Sequence, residues 1–272
     1  MHAAQYRRQD GVTDVANIHS SAIVENGARI ASDVEIGPYA VIGSHVEIGA
    51  GTRIGPHAVI SGHTTIGRDN RIFQFVSLGA EPQDKKYAGE PTRLEIGDRN
   101  TIREFCTFNS GTIQDAGVTR LGNDNWMMAY VHLAHDCQIG NYTIFANNSQ
   151  LAGHVHVDDH AILGGFTAVH QFCRIGSHSI TAIGTVVLQD IPPFITASGN
   201  TAQPYGINSE GLKRRGFSAD AITRIKRAYK TLYKSGLGLD DARREIAAMT
   251  AECPELQSLV DFLGASTRGI VR

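Results

Sequence analysis

From Ile18 to Leu78 every sixth residue is aliphatic: Ile18, Val24, Ile30, Ile36, Ile42, Ile48, Ile54, Ile60, Ile66, Ile72 and Leu78. A helix repeats near 3.6 residues and an ordinary strand near 2, so neither accounts for a strict period of six. Small residues follow many of these positions, as in Ile36-Gly37, Ile48-Gly49, Ile54-Gly55 and Ile66-Gly67. The pattern predicts a parallel β-helix of hexapeptide repeats. Three hexads make one triangular coil, and each aliphatic side chain points inward onto the one eighteen residues later. Glycine, at 29 of 272 residues, suits tight corners between hexads.

The interruptions locate the exceptions. Residues 79–94 form a polar stretch with Pro82 and Pro91 and read as a loop thrown out of the coil. Leu78 to Ile96 spans eighteen residues, so Ile96, Ile102 and Phe108 keep the register. Phe108 to Leu121 spans thirteen, one more than two hexads, so part of residues 113–120 must bulge. The ladder returns as Leu121, Met127, Leu133, Ile139, Phe145, Leu151, Val157, Leu163, Val169, Ile175, Thr181 and Val187, with Thr181 its one polar member. It is expected to end at Ile191-Pro192-Pro193, because proline cannot donate to a sheet. Beyond a connector, Ser218 is placed to cap a helix to about residue 234, with Ala221, Ile222, Ile225, Ala228, Tyr229 and Leu232 on one side. Gly236 and Gly238 break it, a second helix is expected over 240–252, and Pro254 opens a short third. The expected organisation is a polar N-terminal tail at 1–16, a β-helix at 17–198 with an extruded loop near 79–95, and a helical domain at 199–272 covering the open end of the coil.

Composition removes several function classes. A net charge of −2 implies no general attraction to nucleic acid or anionic membrane. No apolar run is long enough to span a membrane, so stable insertion is not expected. The polar first ten residues lack the apolar core of a secretory signal. Cys106, Cys137, Cys173 and Cys253 are far apart without a CxxC pair, which suggests free buried thiols in a reducing cytoplasm rather than a zinc ribbon.

Eighteen-residue counting also gathers histidines. Leu133, Leu151 and Val169 should stack on one face, and each opens a hexad with a histidine: His135, His154 and His170. With strands about 4.8 Å apart, the trio spans about 10 Å along the axis. A histidine oriented by a carboxylate can act as general base near neutral pH. Asp136 adjoins His135, but adjacent strand residues face opposite ways, so their pairing is not set by sequence. Three histidines could also bind zinc, as in hexapeptide-repeat carbonic anhydrases. The bland alternative is a row of solvated corner residues. His160 and His178 form another eighteen-residue pair and receive no function.

Several non-repeat segments narrow the choice. They are Gln83-Asp84 with residues 86–93 (KYAGEPTR), residues 96–100 (IGDRN), residues 134–137 (AHDC), residues 151–154 (LAGH), residues 167–172 (TAVHQF) and residues 210–217 (EGLKRRGF). In this order they resemble the UDP-N-acetylglucosamine 3-O-acyltransferase family, whose acyl-carrier-protein-dependent reaction begins lipid A biosynthesis. The resemblance covers about residues 17–272. It implies an all-β left-handed parallel β-helix followed by a small α-helical C-terminal domain, although the usual crossover rule favours the right hand. It also implies a cytoplasmic homotrimer, with active sites in the clefts between neighbours and no metal or other cofactor.

The same resemblance implies site roles. His135 would be the general base, Asp136 its orienting partner and Gly153 the backbone donor to the oxyanion. Gln83, Asp84 and Lys86 would lie near the sugar nucleotide or acyl chain, and His132, His154, His170 and Gln171 along the cleft. Asn208, Glu210, Arg214 and Arg215 would form the nucleotide side, where a guanidinium fork suits diphosphate. Arg224, Lys226, Arg227, Lys230 and Lys234 would offer acidic acyl carrier protein a basic helix face.

Two departures limit the transfer. Asn109-Ser110 stand where many relatives have His-Arg, so that histidine's role does not carry over. Ile183 stands at the acyl-length position, where glycine admits long chains, and a bulky residue there would shorten the preferred acyl group. The rival functions are a zinc lyase, a non-catalytic scaffold, and a sister acyltransferase with another acceptor.

Overall fold

The computed structural model describes residues 16–272. Residues 1–15 of the tail expected at 1–16 therefore lie outside the described residues. The chain is a left-handed parallel β-helix followed by a helical segment. Its strands are mostly two residues long and assemble into three sheets of eleven, nine and eight strands. Register follows the eighteen-residue count: Ile36 faces Ile54, Leu133 faces Leu151, and Leu151 faces Val169. The inward aliphatics from Val34 to Val187 join one continuous core. Thr181 fits it because its hydroxyl bonds Thr167 Oγ1 at 2.8 Å and accepts from Gly164 N at 2.9 Å.

Three expectations need correction. The first ladder members are not buried: Ile18 is 39% exposed, and Val24 and Ile30 are only half-buried. They occupy the first described coil, which has no coil beneath it among the described residues. The extruded loop is shorter than 79–95, because strands Ser77–Ala80 and Arg93–Ile96 continue into it. The bulge falls within the expected 113–120, as a turn at residues 113–117, before Val118–Leu121 resumes as a strand paired with Arg93–Ile96. The prolines at 192 and 193 do not end the coil. Strand Ile195–Ser198 follows them, pairs parallel with Ile180–Thr181, and accepts an antiparallel strand, Gln203–Ile207, from the segment expected to be a plain connector.

The corners also differ from expectation. Left-handed backbone recurs at non-glycine residues, including Tyr39, His57, Phe75, Phe105, Tyr130, Asp136, His154, Phe172 and His178. Such a conformation costs about 1 kcal/mol or more for an L-residue. Side-chain stacking between coils offsets it, as along Tyr39, His57, Phe75, Phe105 and Tyr130 at centroid spacings of 4.8 to 5.3 Å. Glycine serves a different purpose, room between coils. A Cβ on Gly55 would meet Gln74 N at 2.7 Å, and one on Gly97 would meet Gly122 O at 2.7 Å.

The helical segment comprises α1 (Ser209–Arg214), α2 (Ala219–Lys234), α3 (Leu239–Met249) and α4 (Gln257–Ala265), the last preceded by a 3₁₀ turn at Pro254–Leu256. The Ser218 side chain caps α2 by accepting from Ala221 N. Ala221, Ile225, Ala228, Tyr229 and Leu232 are buried on one side of α2, as their spacing requires. The Tyr229 hydroxyl donates to Pro204 O, tying α2 to the antiparallel strand that covers the last coil.

Another corner stacks Tyr142, His160, His178 and Phe194, with Phe217 edge-on against His178. Burial, reinforced by His160 and Arg215, pushes the His178 imidazole down to about 4. The unfolded chain takes up this proton near pH 6.5 and the folded chain only near pH 4. Stability from this group is therefore complete above pH 6.5 and is lost as pH falls toward 4. His178→Phe should keep the stack and reduce the loss of denaturant midpoint between pH 7 and pH 4.5. An unchanged pH slope would exclude His178 as a contributor.

Candidate active site

The site forms where the sheet containing His132–Leu133, Gln150–Leu151 and Ala168–Val169 turns a corner. His135, Gly153 and Gln171 share one position on three successive coils, and Asp136, His154 and Phe172 share the next. Backbone bonds from His154 N to His135 O at 3.0 Å and from Phe172 N to Gly153 O at 3.1 Å lock these columns together.

His135 and Asp136 do pair, with Nδ1 and Oδ2 2.9 Å apart. Strand alternation does not apply because Asp136 is a left-handed corner residue with φ of 59°. Its carboxyl is fully buried. Thr112 N lies 3.0 Å from both carboxyl oxygens and donates to them, and the Thr112 hydroxyl donates to Oδ2 at 2.6 Å. Thr119 Oγ1 accepts from Asp136 N at 2.8 Å. Burial alone would raise the carboxyl's pKa, but the bonds from His135 and Thr112 outweigh it, so the group sits below the usual carboxylate range. An ionised Asp136 only accepts, so His135 Nδ1 carries the proton and Nε2 keeps its lone pair.

Gly153 leaves space for that imidazole. A Cβ there would lie 2.5 Å from His135 Cε1 and 2.7 Å from Nε2. Among the described residues, no backbone acceptor takes the Gly153 N–H. His154 stands edge-on to His135, with centroids 5.0 Å apart, and stacks on Phe172 at 4.4 Å. Its Nδ1 lies 2.9 Å from Asp115 Oδ2.

These groups open onto a cleft of about 840 Å³ lined by the extruded-loop residues Gln83, Asp84, Lys85 and Lys86, by Gln114 and Asp115, and by His135, His154, Gln171 and Phe172. Asp84 shapes the loop by accepting from Lys86 N at 3.0 Å. Gln83 also lines a neighbouring groove with His132, whose Nδ1 lies 2.7 Å from Thr107 Oγ1 and whose pKa burial lowers.

Other expected site residues lie elsewhere in the chain. His170 is exposed, with Nδ1 3.2 Å from the Gln171 carbonyl, and does not line this cleft. The zinc rival's three histidines are thus not brought together; the cluster that forms is His135, Asp136 and His154. Asn208 caps α1 by accepting from Gly211 N and donates to His178 O. Glu210 pairs with Lys213 at 2.7 Å, and Arg215 donates to His160 O at 3.0 Å. Neither Arg214 nor Ile183 lines the cleft, and Ile183 is 75% exposed.

Sequence reading missed Thr112, Gln114 and Asp115 as site residues. The thirteen-residue interval between Phe108 and Leu121 was their available signal, since it marked the bulge that carries them.

Residues 16–50 and 119–153 match the bacterial transferase hexapeptide family, and residues 190–271 match the family described as UDP N-acetylglucosamine O-acyltransferase, domain 2. The chain is 66% identical over 258 residues to the acyl-acyl-carrier-protein–UDP-N-acetylglucosamine O-acyltransferase of Thiobacillus denitrificans, covering 95% of this chain and 100% of the relative. It is 64% identical to the Janthinobacterium protein of the same name, covering 94% and 99%. Among solved structures, LpxA of Acinetobacter baumannii superposes with a TM-score of 0.92 at 49% identity, covering 94% of this chain and 100% of that one. The UDP-N-acetylglucosamine acyltransferase of Francisella novicida gives 0.92 at 46% identity, covering 94% of each. The chain belongs to the acyl-carrier-protein-dependent UDP-N-acetylglucosamine O-acyltransferase family.

Proposed function

We propose that this chain transfers a 3-hydroxyacyl group from acyl carrier protein to the 3-hydroxyl of UDP-N-acetylglucosamine, the first step of lipid A biosynthesis. The observation that carries this reading is the His135–Asp136 pair with the imidazole packed directly over Gly153. His135 Nε2 takes the proton from the sugar hydroxyl as its oxygen attacks the thioester carbon. Asp136 stabilises the resulting imidazolium. The Gly153 N–H is the donor assigned to the oxyanion. Collapse of the tetrahedral intermediate breaks the carbon–sulfur bond, and the departing thiolate recovers the proton from His135. No covalent acyl-enzyme is needed, and burial pushes Cys106 and Cys137 up to about 12, away from nucleophilic use.

Gln83, Asp84, Lys86, His132, His154 and Gln171 would position the substrates around this pair. Asn208, Glu210, Arg214 and Arg215 are away from the cleft in their own chain, so we assign them to the cleft of a neighbouring copy in a homotrimer, with His170 also facing that junction. The exposed Lys226, Arg227, Lys230 and Lys234 on α2 would receive acyl carrier protein. Arg224 has a smaller share in this surface because it is already engaged by Asp220 and Glu252. Four free, buried cysteines agree with a reducing cytoplasm. Among the described residues, no helix is long and apolar enough to cross a membrane.

The reaction is tested by assaying UDP-N-acetylglucosamine with 3-hydroxyacyl carrier proteins of several lengths. Absence of ester formation with every length would reject the proposed reaction. Ile183→Gly should raise kcat/KM for long relative to short donors by about tenfold or more, the scale of discrimination by chain methylenes. An unchanged length profile would remove Ile183 from the acyl groove.

A further inference from the structure

We propose that the short turn between Ser110 and Val118 is a two-point clamp on the histidine pair, with Asp115 the positioning residue for His154. This inference rests on the acyltransferase reading of the cleft. The turn leaves one coil after strand Thr107–Asn109 and rejoins at strand Val118–Leu121. It holds the one residue by which the interval from Phe108 to Leu121 exceeds two hexads.

The first point is Thr112, which gives both its backbone N–H and its hydroxyl to the buried Asp136 carboxylate. Asp136 in turn holds His135 Nδ1. Three residues further on, Asp115 reaches His154 Nδ1 at 2.9 Å. His154 has another carboxylate nearby, but Asp136 Oδ2 is 3.9 Å from Nδ1 and already takes His135 and the Thr112 hydroxyl. Asp115 is therefore the carboxylate that bonds this ring.

The consequence is a defined orientation for the second histidine. With Nδ1–H directed to Asp115, His154 keeps Nε2 as its acceptor, matching the arrangement at His135. Phe172 stacked on one side of the ring and His135 edge-on fix its plane. His154 side-chain exposure is 11%, against 47% for Asp115, so the ring is held in the wall while its partner reaches it from the cleft rim. Both imidazoles are thus set by one turn, and their spacing is fixed before substrate arrives. The cleft lining includes Asp115 and the adjacent Gln114, which places the clamp beside the incoming sugar.

The test compares Asp115→Ala and Asp115→Asn in the full-length protein. Asparagine retains an oxygen that accepts from Nδ1–H, whereas alanine does not. Asp115→Ala should lower kcat/KM for UDP-N-acetylglucosamine by about ten- to a hundredfold, the cost of a displaced active-site group. Asp115→Asn should stay within about threefold, since a neutral acceptor weakens the bond without moving it. Melting temperatures of both should match the parent. Nitrogen-15 spectra of histidine-labelled protein provide a readout independent of turnover: the His154 Nδ1–H tautomer should persist in Asp115→Asn and be lost in Asp115→Ala. Equal losses of activity in both variants with an unchanged tautomer would overturn the positioning role, as would parental activity in Asp115→Ala. Failure of the parent protein to transfer acyl groups would reject the functional reading, while the tautomer comparison would still decide the contact.

Discussion

Replacing His135 with alanine is expected to slow acyl transfer by about 10²- to 10⁴-fold, the contribution of a positioned general base. The expectation rests on the tautomer imposed by Asp136, whose buried, ionised carboxylate leaves His135 Nε2 free to accept a proton. The fold should tolerate the change. His135 is a corner residue, and Asp136 keeps its three contacts from Thr112 after the imidazole is gone. Steady-state assays across saturating UDP-N-acetylglucosamine, paired with thermal melts, separate the outcomes. A parental turnover number in the alanine variant would remove His135 as the base. A collapse in melting temperature would instead make the loss structural.

Gly153→Ala is expected to cost about 10²-fold in kcat, although the substitution adds one methyl group. The backbone at Gly153 is not in the left-handed region, so alanine meets no conformational penalty there. The obstacle is the His135 ring, which the new Cβ would approach to 2.5 Å. The imidazole must swing away, yet its Nδ1 is tethered to Asp136 at 2.9 Å. Either the tether lengthens or the Gly153 amide retreats, and both changes disturb the geometry proposed for the reaction. The large effect should appear with coils intact, as measured by circular dichroism and melting. Full activity in Gly153→Ala would show that the close approach of this backbone to the His135 ring does not matter to turnover.

The coil was legible because its rule is local. An inward aliphatic every six residues needs no information beyond the chain, and the register of Leu133, Leu151 and Val169 follows by counting. Helix α2 was legible for the same reason, through its Ser218 cap and one-sided apolar spacing. Counting read one exception and misread another. It confined the bulge to part of 113–120, and the chain turns at 113–117 before Val118–Leu121 pairs within a sheet. It ended the ladder at Ile191, whereas Ile195–Ser198 adds a further strand. The error arises because pairing partners far away in sequence decide where a strand resumes.

The candidate site divides similarly. His135, His154 and Gly153 could be gathered by an eighteen-residue ruler, and motif resemblance suggested their roles. The His135–Asp136 contact could not be read that way, because it depends on a left-handed backbone at Asp136. Thr112 and Asp115 were invisible as partners, since their distances to Asp136 and His154 exist only after the bulge folds against the next coils. The separation of Arg214 and Arg215 from the cleft is likewise a matter of where α1 packs, with Arg215 bonded to His160 O, which no hexad encodes.

By itself, then, the sequence determined the coil, its pitch and the edge along which the histidines collect, because a repeated inward side chain dictates those locally. The tertiary structure decided which carboxylate holds which imidazole and why residue 153 must be glycine. Those facts depend on ångström-scale distances between residues that are eighteen to thirty-nine apart in the chain or that meet across a left-handed corner.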